Sequence, residues 1–574
     1  MDPVWIEKIP ASPLNDAAAA PSGVLLGQTF AVKDNIDVAG VPTTAACPAF
    51  AYLPQRSATV VQRLQDAGAR VAGKTNLDQF ACGLNGTRSP YGTPPNSFDA
   101  LLVPGGSSSG SAVAVARGEV DFALGTDTAG SGRVPAAMNN LVGLKPTRGL
   151  ISSQGVVPAC RSIDCVSIFH TTVAGAVEVL GQAAGHDPLD PYSRSVSLDP
   201  AFFPASFTFG IPRPEDLEFY GDMLSREAFT QACQRLEKLG GRPIEFDYRP
   251  FATAASMLYE DAFVAERYAG IRDFFDAQAH SHPEAFDPSV RSIIDSGRRF
   301  GAADWCQASD RLGLLRQGCD ATLARFDVMV LPTTPTLISQ QAMRADPIEL
   351  NRRLGLYTNF VNLLDYAALA VPACLRADGL PFGITFIGPA GSDLRLADIG
   401  QRFHHDTGLP AGAMGTPLPP PRDIARPAGT TVRLAVVGAH LTGMPLNSQL
   451  IERGTRLLQA TVTASDYRLF ALQGTVPPKP GLLRVAPGQG HAIALEIWEM
   501  PVAHYGSFVA LIGAPLGIGT LRLADGSAVQ GFLCEALDTI GNPDISAFGG
   551  WRAYLAARSA PRQPTANPPP ERLT

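Results

Sequence analysis

The run PAGAMGTPLPPPRDIARPAG, Pro410 to Gly429, sets the strongest limit on how this chain can fold. Proline fixes φ and lacks an amide donor, so a stretch this rich in it should hold no regular structure and reads as an extended, semi-rigid spacer. It divides the 574 residues unequally. The expected organisation is a large domain at 1–410, a proline-rich linker at 411–430, a small domain at 431–558 and a disordered tail at 559–574, where prolines gather again.

In the large part, short apolar runs alternate with helical periods. Leu26–Val32, Arg70–Ala72, Val328–Leu331 and Pro381–Ile387 read as extended segments, and Ala58–Ala67 as a helix ending near Gly68. Such alternation indicates an α/β layer fold. The small part reads differently, with strands at Arg433–Val437, Tyr467–Leu472, Ala492–Trp498 and Thr520–Ala524. Asp525-Gly526 between LRLA and SAVQGF is a hairpin signal, so a small β-rich α+β domain or barrel is expected.

Composition mostly excludes. A formal net charge of −7 argues against general binding to nucleic acid or a membrane surface, and no apolar run reaches the length of a membrane span. The start, MDPVW, lacks the basic-then-apolar pattern of a signal peptide. The nine cysteines are odd in number and contain no C-x-x-C pair. They read as reduced thiols of a cytoplasmic protein, and neither a metal site nor a cofactor is expected.

Lysine is the informative residue. Of 46 lysine and arginine residues only six are lysine: Lys8, Lys33, Lys74, Lys145, Lys238 and Lys479. A lysine kept at an apolar position of so arginine-rich a chain needs a reason. Lys33 ends the strand-like run Thr29–Val32; it is either a strand-end cation reaching water or a buried amine able to act as a base. Two glycine–serine loops lie between Pro104 and Pro135. The first, Gly106-Ser107-Ser108-Ser109-Gly110, also fits the G-x-S-x-G nucleophile elbow, but none of the histidines carries flanking residues that mark a triad base. A phosphate cradle ranks low without a P-loop lysine. The second loop, Thr128-Ala129-Gly130-Ser131, runs into a helix start at Gly132–Ala136 and would aim its amides at one point, with Ser131 as nucleophile. Asp127 and Arg133 would brace it as a charge pair.

These loops, together with AVKDNIDVAGVPTT, GKTNLDQFACG, VGLKPT and GLPFGITFIG, closely resemble the amidase signature family over most of residues 20–400. The resemblance implies an α/β fold with a mixed sheet flanked by helices and a Ser–Ser–Lys hydrolase. Ser131 would be the acyl-accepting nucleophile, Ser107 the bridging serine on a cis peptide bond, and Lys33 the base. The spacing of 24 between Ser107 and Ser131 favours Ser107 over Ser108. Thr128, Ala129 and Gly130 would join Ser131 in the oxyanion hole.

The segment Leu258–Tyr268, LYEDAFVAERY, reads by itself as an ordinary helix. It also resembles the allophanate hydrolase branch of that family, in which a tyrosine and an arginine eight residues apart, here Tyr259 and Arg267, bind the substrate carboxylate. VVGAHLTGMPLNSQLIERGTRL, YRLFALQG and PPKPGLLRV resemble the C-terminal domain of that branch, related in fold to γ-glutamylcyclotransferases. There His440 would assist decarboxylation, with Lys479 and Glu496 as weaker candidates for the same pocket; a structural histidine is the competing reading. The implied partner is a small molecule, allophanate, and the implied assembly a homodimer, with neither nucleic acid nor membrane. The rival is a general small-amide amidase whose C-terminal module only binds or oligomerises.

Overall fold

The computed structural model describes residues 2–10, 23–427 and 429–559. Two compact units emerge. Described residues within Met1–Asp199 and Ala205–Ala425 form the first, and those within Pro200–Pro204 and Arg426–Thr574 the second.

Unit 1 is an α/β layer built on an eleven-stranded mixed sheet. Its strands are β1 (Trp5–Lys8), β2 (Thr29–Lys33), β3 (Arg70–Thr75), β4 (Phe122–Asp127), β5 (Val142–Lys145), β6 (Cys165–His170), β7 (Phe207–Pro212), β8 (Gly241–Phe246), β9 (Val328–Pro332), β10 (Tyr366–Leu375) and β11 (Pro381–Pro389). Their spatial order is β1-β3-β2-β4-β6-β5-β10-β11-β9-β7-β8. The central strands carry near-continuous apolar runs, as strands covered on both faces must; every residue of β4 and β9 is buried. The strand expected at Leu26–Val32 starts only at Thr29, because Gly27 (φ 87°) turns the chain and the Gln28 amide closes on the Leu25 carbonyl. The helix expected at Ala58–Ala67 spans Thr59–Asp66.

What positions the site is the parallel pairing of β2 with β4, in which Val32 lies opposite Leu124. Both strands end on the same side, so Lys33 and the loop after Asp127 leave the sheet together. Ligands of open α/β sheets bind at such carboxyl ends. Between these strands in sequence, the helix Ser109–Ala116 packs its small, wholly buried residues on the sheet, with Ser111 Oγ donating to the Leu124 carbonyl at 2.9 Å.

The proline-rich segment departs from its expected character. Pro410–Ala411 (β12) pairs with Thr416–Pro417 (β13), and the chain as far as Ala425 belongs to unit 1. Asn140 Nδ2 holds it by donating to the carbonyls of Pro410 and Gly412. Proline is tolerated at such edge positions because no ladder donor is needed there. The tail expected from 559 lies outside the described residues beyond Ser559, which closes the helix Trp551–Ser559.

Unit 2 is α+β. Its strands are β14 (Thr431–Val436), β15 (Arg456–Val462), β16 (Tyr467–Leu472), β17 (Lys479–Arg484), β18 (Ala494–Pro501), β19 (Leu516–Arg522) and β20 (Ala528–Cys534). Five form a sheet in the order β15-β18-β14-β20-β19, and β16 pairs with β17. Leu434, Val436, Trp498 and Phe508 are among its core residues. Asp525-Gly526 makes the expected β19–β20 turn, with Gly526 at φ 83°. Strand β19 starts four residues earlier than the sequence suggests, since Gly517 and Gly519 mask its extended character.

Beside the site, Lys74 Nζ and Asp34 Oδ1 form an ion pair at 2.9 Å with both side chains fully buried. Asp34 also accepts from the Thr44 amide and hydroxyl. Removing one member strands a buried charge, so Asp34→Ala should destabilise unit 1 by about 3–5 kcal/mol. Denaturant unfolding measures it, and a loss within experimental error would show that the pair carries no such role.

Candidate active site

Lys33, the last residue of β2, is completely buried, as are Ser107 and Asp127. Its Nζ lies 2.7 Å from Ser107 Oγ and 2.7 Å from Thr126 Oγ1. Ser107 follows a cis Gly106–Ser107 peptide bond. Ser108 points elsewhere, its hydroxyl donating to the Thr126 carbonyl at 3.2 Å. Lys33 therefore meets two hydroxyls and no carboxylate. Burial pushes its amine down to about 7, against the pull of Asp78, Asp164 and Asp127, which favour the charged form.

The loop after β4 is held by Asp127. Its carboxylate accepts from the amides of Gly130 (2.9 Å) and Gly132 (3.0 Å) and from Arg133 Nε (2.9 Å) and Nη2 (3.0 Å). Burial alone would raise the Asp127 carboxyl, but the Arg133 guanidinium holds it below the usual range. Gly130 sits at φ 132°, and a side chain there would run into Thr358 Oγ1. Glycine is thus required twice over, by conformation and by space. Of the four amides grouped by sequence for an oxyanion hole, Gly130's is spent on Asp127. Among the described residues no hydrogen bond engages those of Thr128, Ala129 and Ser131. Ser131 is 2% exposed and its Oγ donates to the Gly83 carbonyl at 3.4 Å. No hydrogen bond joins Ser131 to Ser107 in this conformation: the one engages the Gly83 carbonyl and the other Lys33.

Two acids do not stand out in the sequence. Asp78 collects the amides of Asn85, Gly86 and Arg88. Asp164 accepts from the Thr128 hydroxyl at 2.5 Å and from the Ala159 and Cys160 amides. Burial raises both carboxyls despite these donors. Asp78 lies inside the motif GKTNLDQFACG, which is a usable signal; Asp164, in RSIDCVS, has none.

Tyr259 and Arg267 do meet, but not on one helix. The helix Arg249–Glu260 stops after Tyr259, a 3₁₀ turn spans Ala262–Val264, and Arg267 lies on the helix Ala265–Gly270. On one continuous helix, residues eight apart would stand about 12 Å apart along the axis. The break instead brings Arg267 Nη2 to 3.1 Å from Tyr259 OH, with the guanidinium 5.0 Å from the ring centroid. Asp261, whose carboxylate accepts from the Ala262 amide, caps the turn. Arg267 is 3% exposed, and its Nε and Nη1 have no hydrogen-bond partner.

In unit 2, His440 follows β14 in a cavity of about 210 Å³ that Gln449, Lys479 and Phe532 also line. Its Nε2 is 3.0 Å from Gln449 Oε1, and its ring stacks on Phe532. Burial lowers its pKa, and the Lys479 charge adds to that, while Gln449 opposes. Glu496, expected in this pocket, is engaged elsewhere: it accepts from the Thr442 amide and hydroxyl and the Trp498 indole and pairs with Arg552 at 2.9 Å. It lines a different cavity, with Leu441 and Trp551, and not the one that His440 lines. Among the described residues no cluster of His, Cys, Asp or Glu could hold a metal ion, and no helix is long and apolar enough to cross a membrane.

Residues 7–397 match the family model described as Amidase. The chain belongs to the amidase family. It is an amidase-signature hydrolase, and its residues 432–556 match the allophanate hydrolase C-terminal domain. A solved structure of allophanate hydrolase from Kluyveromyces lactis is 40% identical, superposes with a TM-score of 0.85, and aligns over 97% of this chain and 94% of that one. Urea amidolyase of Saccharomyces cerevisiae is 45% identical over 92% of this chain, which spans only 30% of that relative's length. A peptide amidase from Stenotrophomonas maltophilia is 30% identical, with a TM-score of 0.57 over 67% of this chain and 83% of its own.

In this amidase, Lys33 can accept a proton only when neutral. Below pH 7 the ammonium form dominates, so kcat/KM should rise about tenfold per pH unit at acid pH and level off above about 7. Lys33→Arg, which stays charged, should lose activity at every pH. A flat profile across pH 5–8 would contradict the assignment.

Proposed function

We propose that this chain hydrolyses allophanate, the N-carboxylate of urea, through a seryl acyl-enzyme in unit 1, and that unit 2 assists loss of carbon dioxide from the product. The observation that carries the substrate reading is the buried Arg267 guanidinium, with two nitrogens unpartnered and a third braced by Tyr259. Leaving such donors unmade is costly, and a planar carboxylate satisfies them in a fork. Burial raises the Tyr259 phenol, so it stays a neutral donor or acceptor. The guanidinium of Arg267 stays cationic, since its ordinary pKa lies far above neutrality.

With the carboxylate seated there, the amide carbonyl would face Ser131. Rotation of the Ser131 hydroxyl from the Gly83 carbonyl toward Ser107 completes the relay. Neutral Lys33 takes the Ser107 proton as Ser107 takes that of Ser131, and Oγ adds to the carbonyl carbon. The amides of Thr128, Ala129 and Ser131 receive the oxyanion. Breaking the C–N bond returns the proton to the departing ammonia, and water then frees N-carboxycarbamate. His440 would assist cleavage of one of its two C–N bonds, which releases carbon dioxide and, as the nitrogen gains a proton, carbamate. Cytoplasmic location and a homodimeric assembly complete the reading; nine free cysteines suit a reducing compartment.

Purified full-length protein should release ammonia from allophanate and turn over simple amides such as propionamide poorly. Arg267→Ala should raise KM for allophanate roughly 10- to 100-fold, the worth of a hydrogen-bonded charge, and leave propionamide hydrolysis unchanged. His440→Ala should still release the first ammonia while N-carboxycarbamate accumulates. Efficient turnover of propionamide without turnover of allophanate would reject the substrate; equal product ratios in His440→Ala and wild type would reject the role of unit 2.

A further inference from the structure

Lys33, Ser107 and Ser131 are at most 2% exposed, so a substrate must reach them through the protein. A cavity of about 280 Å³ opens between the helix Arg249–Glu260 and residues 348–359, with Tyr259, Arg88, Asn351 and Asn359 among its walls. Asn359 is 5% exposed, and its Oδ1 has no hydrogen-bond partner. Arg88 Nε, on another residue lining this cavity, also lacks one. One cavity thus has an unpartnered acceptor and an unpartnered donor on lining residues, which suits a ureido group offering N–H and C=O together.

Asn359 is linked to both proposed ends of the reaction, through its chain neighbour at one and a shared cavity at the other. The preceding residue, Thr358, abuts Gly130 of the nucleophile loop, and its carbonyl accepts from Arg133 Nη2 at 3.1 Å. On its other side Asn359 shares the cavity with Tyr259, the partner of Arg267. Gly355 leaves the room this amide occupies, since any side chain there would collide with Asn359 Oδ1. A molecule with its carboxylate on Arg267 and its amide carbon at Ser131 has its bridging N–H between them.

Resting on the function proposed above, the geometry points to Asn359 as a specificity-determining residue whose side-chain carbonyl accepts the bridging N–H of the substrate. A site built around such a bond discriminates against an analogue that lacks it. Malonamate is that analogue: it keeps the carboxylate and the scissile amide but has CH₂ in place of N–H.

The experiment measures kcat/KM of the full-length enzyme for allophanate and malonamate, in wild type and in Asn359→Leu, with Asn359→Ala as a smaller replacement should leucine disturb folding. Loss of one such bond should lower the allophanate value about 10- to 100-fold and change the malonamate value less than about threefold. An equal fall for both compounds, or no fall for either, would overturn the role of Asn359 while leaving allophanate as the substrate. A wild-type enzyme that turns over malonamate but not allophanate would overturn both.

Discussion

Taking an amine out of water without giving it a counter-ion is the constraint around which unit 1 is arranged. Lys33 ends a buried strand and faces two hydroxyls. Three acids lie near enough to be felt, yet each is occupied. Asp127 is neutralised by Arg133 and two loop amides, Asp78 holds three amides, and Asp164 holds the Thr128 hydroxyl and two amides. The same hydrogen bonds that shape the loops carrying Ser131 and Gly83 thus keep carboxylates from fixing Lys33 as an ammonium. Lys74, one strand away and equally buried, shows the alternative: it is paired with Asp34 at 2.9 Å.

The site is legible in the sequence where its parts are local. Lys33 stands out because arginine supplies nearly all other cations, and the loops around Ser107 and Ser131 announce themselves through glycine and serine. Their meeting depends on the parallel pairing of β2 with β4 across roughly ninety residues, which only the family resemblance supplies. Tyr259 and Arg267 are found through the resemblance to the allophanate hydrolase branch, while the break that lets them touch is hidden in a stretch with helical character throughout. Asp78 lies within a motif that the family resemblance marks, whereas Asp164 and Asn359 belong to loops or short helices without a pattern, and their roles arise from burial alone. Glu496, a weaker candidate for the His440 pocket, is not among its lining residues, because sequence does not tell which way a side chain on a strand faces.

Fold boundaries follow the same logic. Apolar alternation locates most strands, and glycine displaces the ends of two of them, at Gly27 and at Gly517–Gly519. Proline marks the division between units but overstates the spacer, since Asn140 ties its first part to unit 1.

Lys33 titrates near neutrality in the folded enzyme, so a substantial neutral fraction is present at physiological pH. Because the chain has only six lysines, lysine-selective ¹³Cε/¹⁵Nζ labelling gives a spectrum simple enough to follow each one, with Lys33 assigned by its loss in Lys33→Arg. Titration should show the Lys33 resonance with a midpoint at about 7, far below the ~10.4 of an amine in water. A Lys33 resonance whose midpoint falls at that ordinary value would contradict the account.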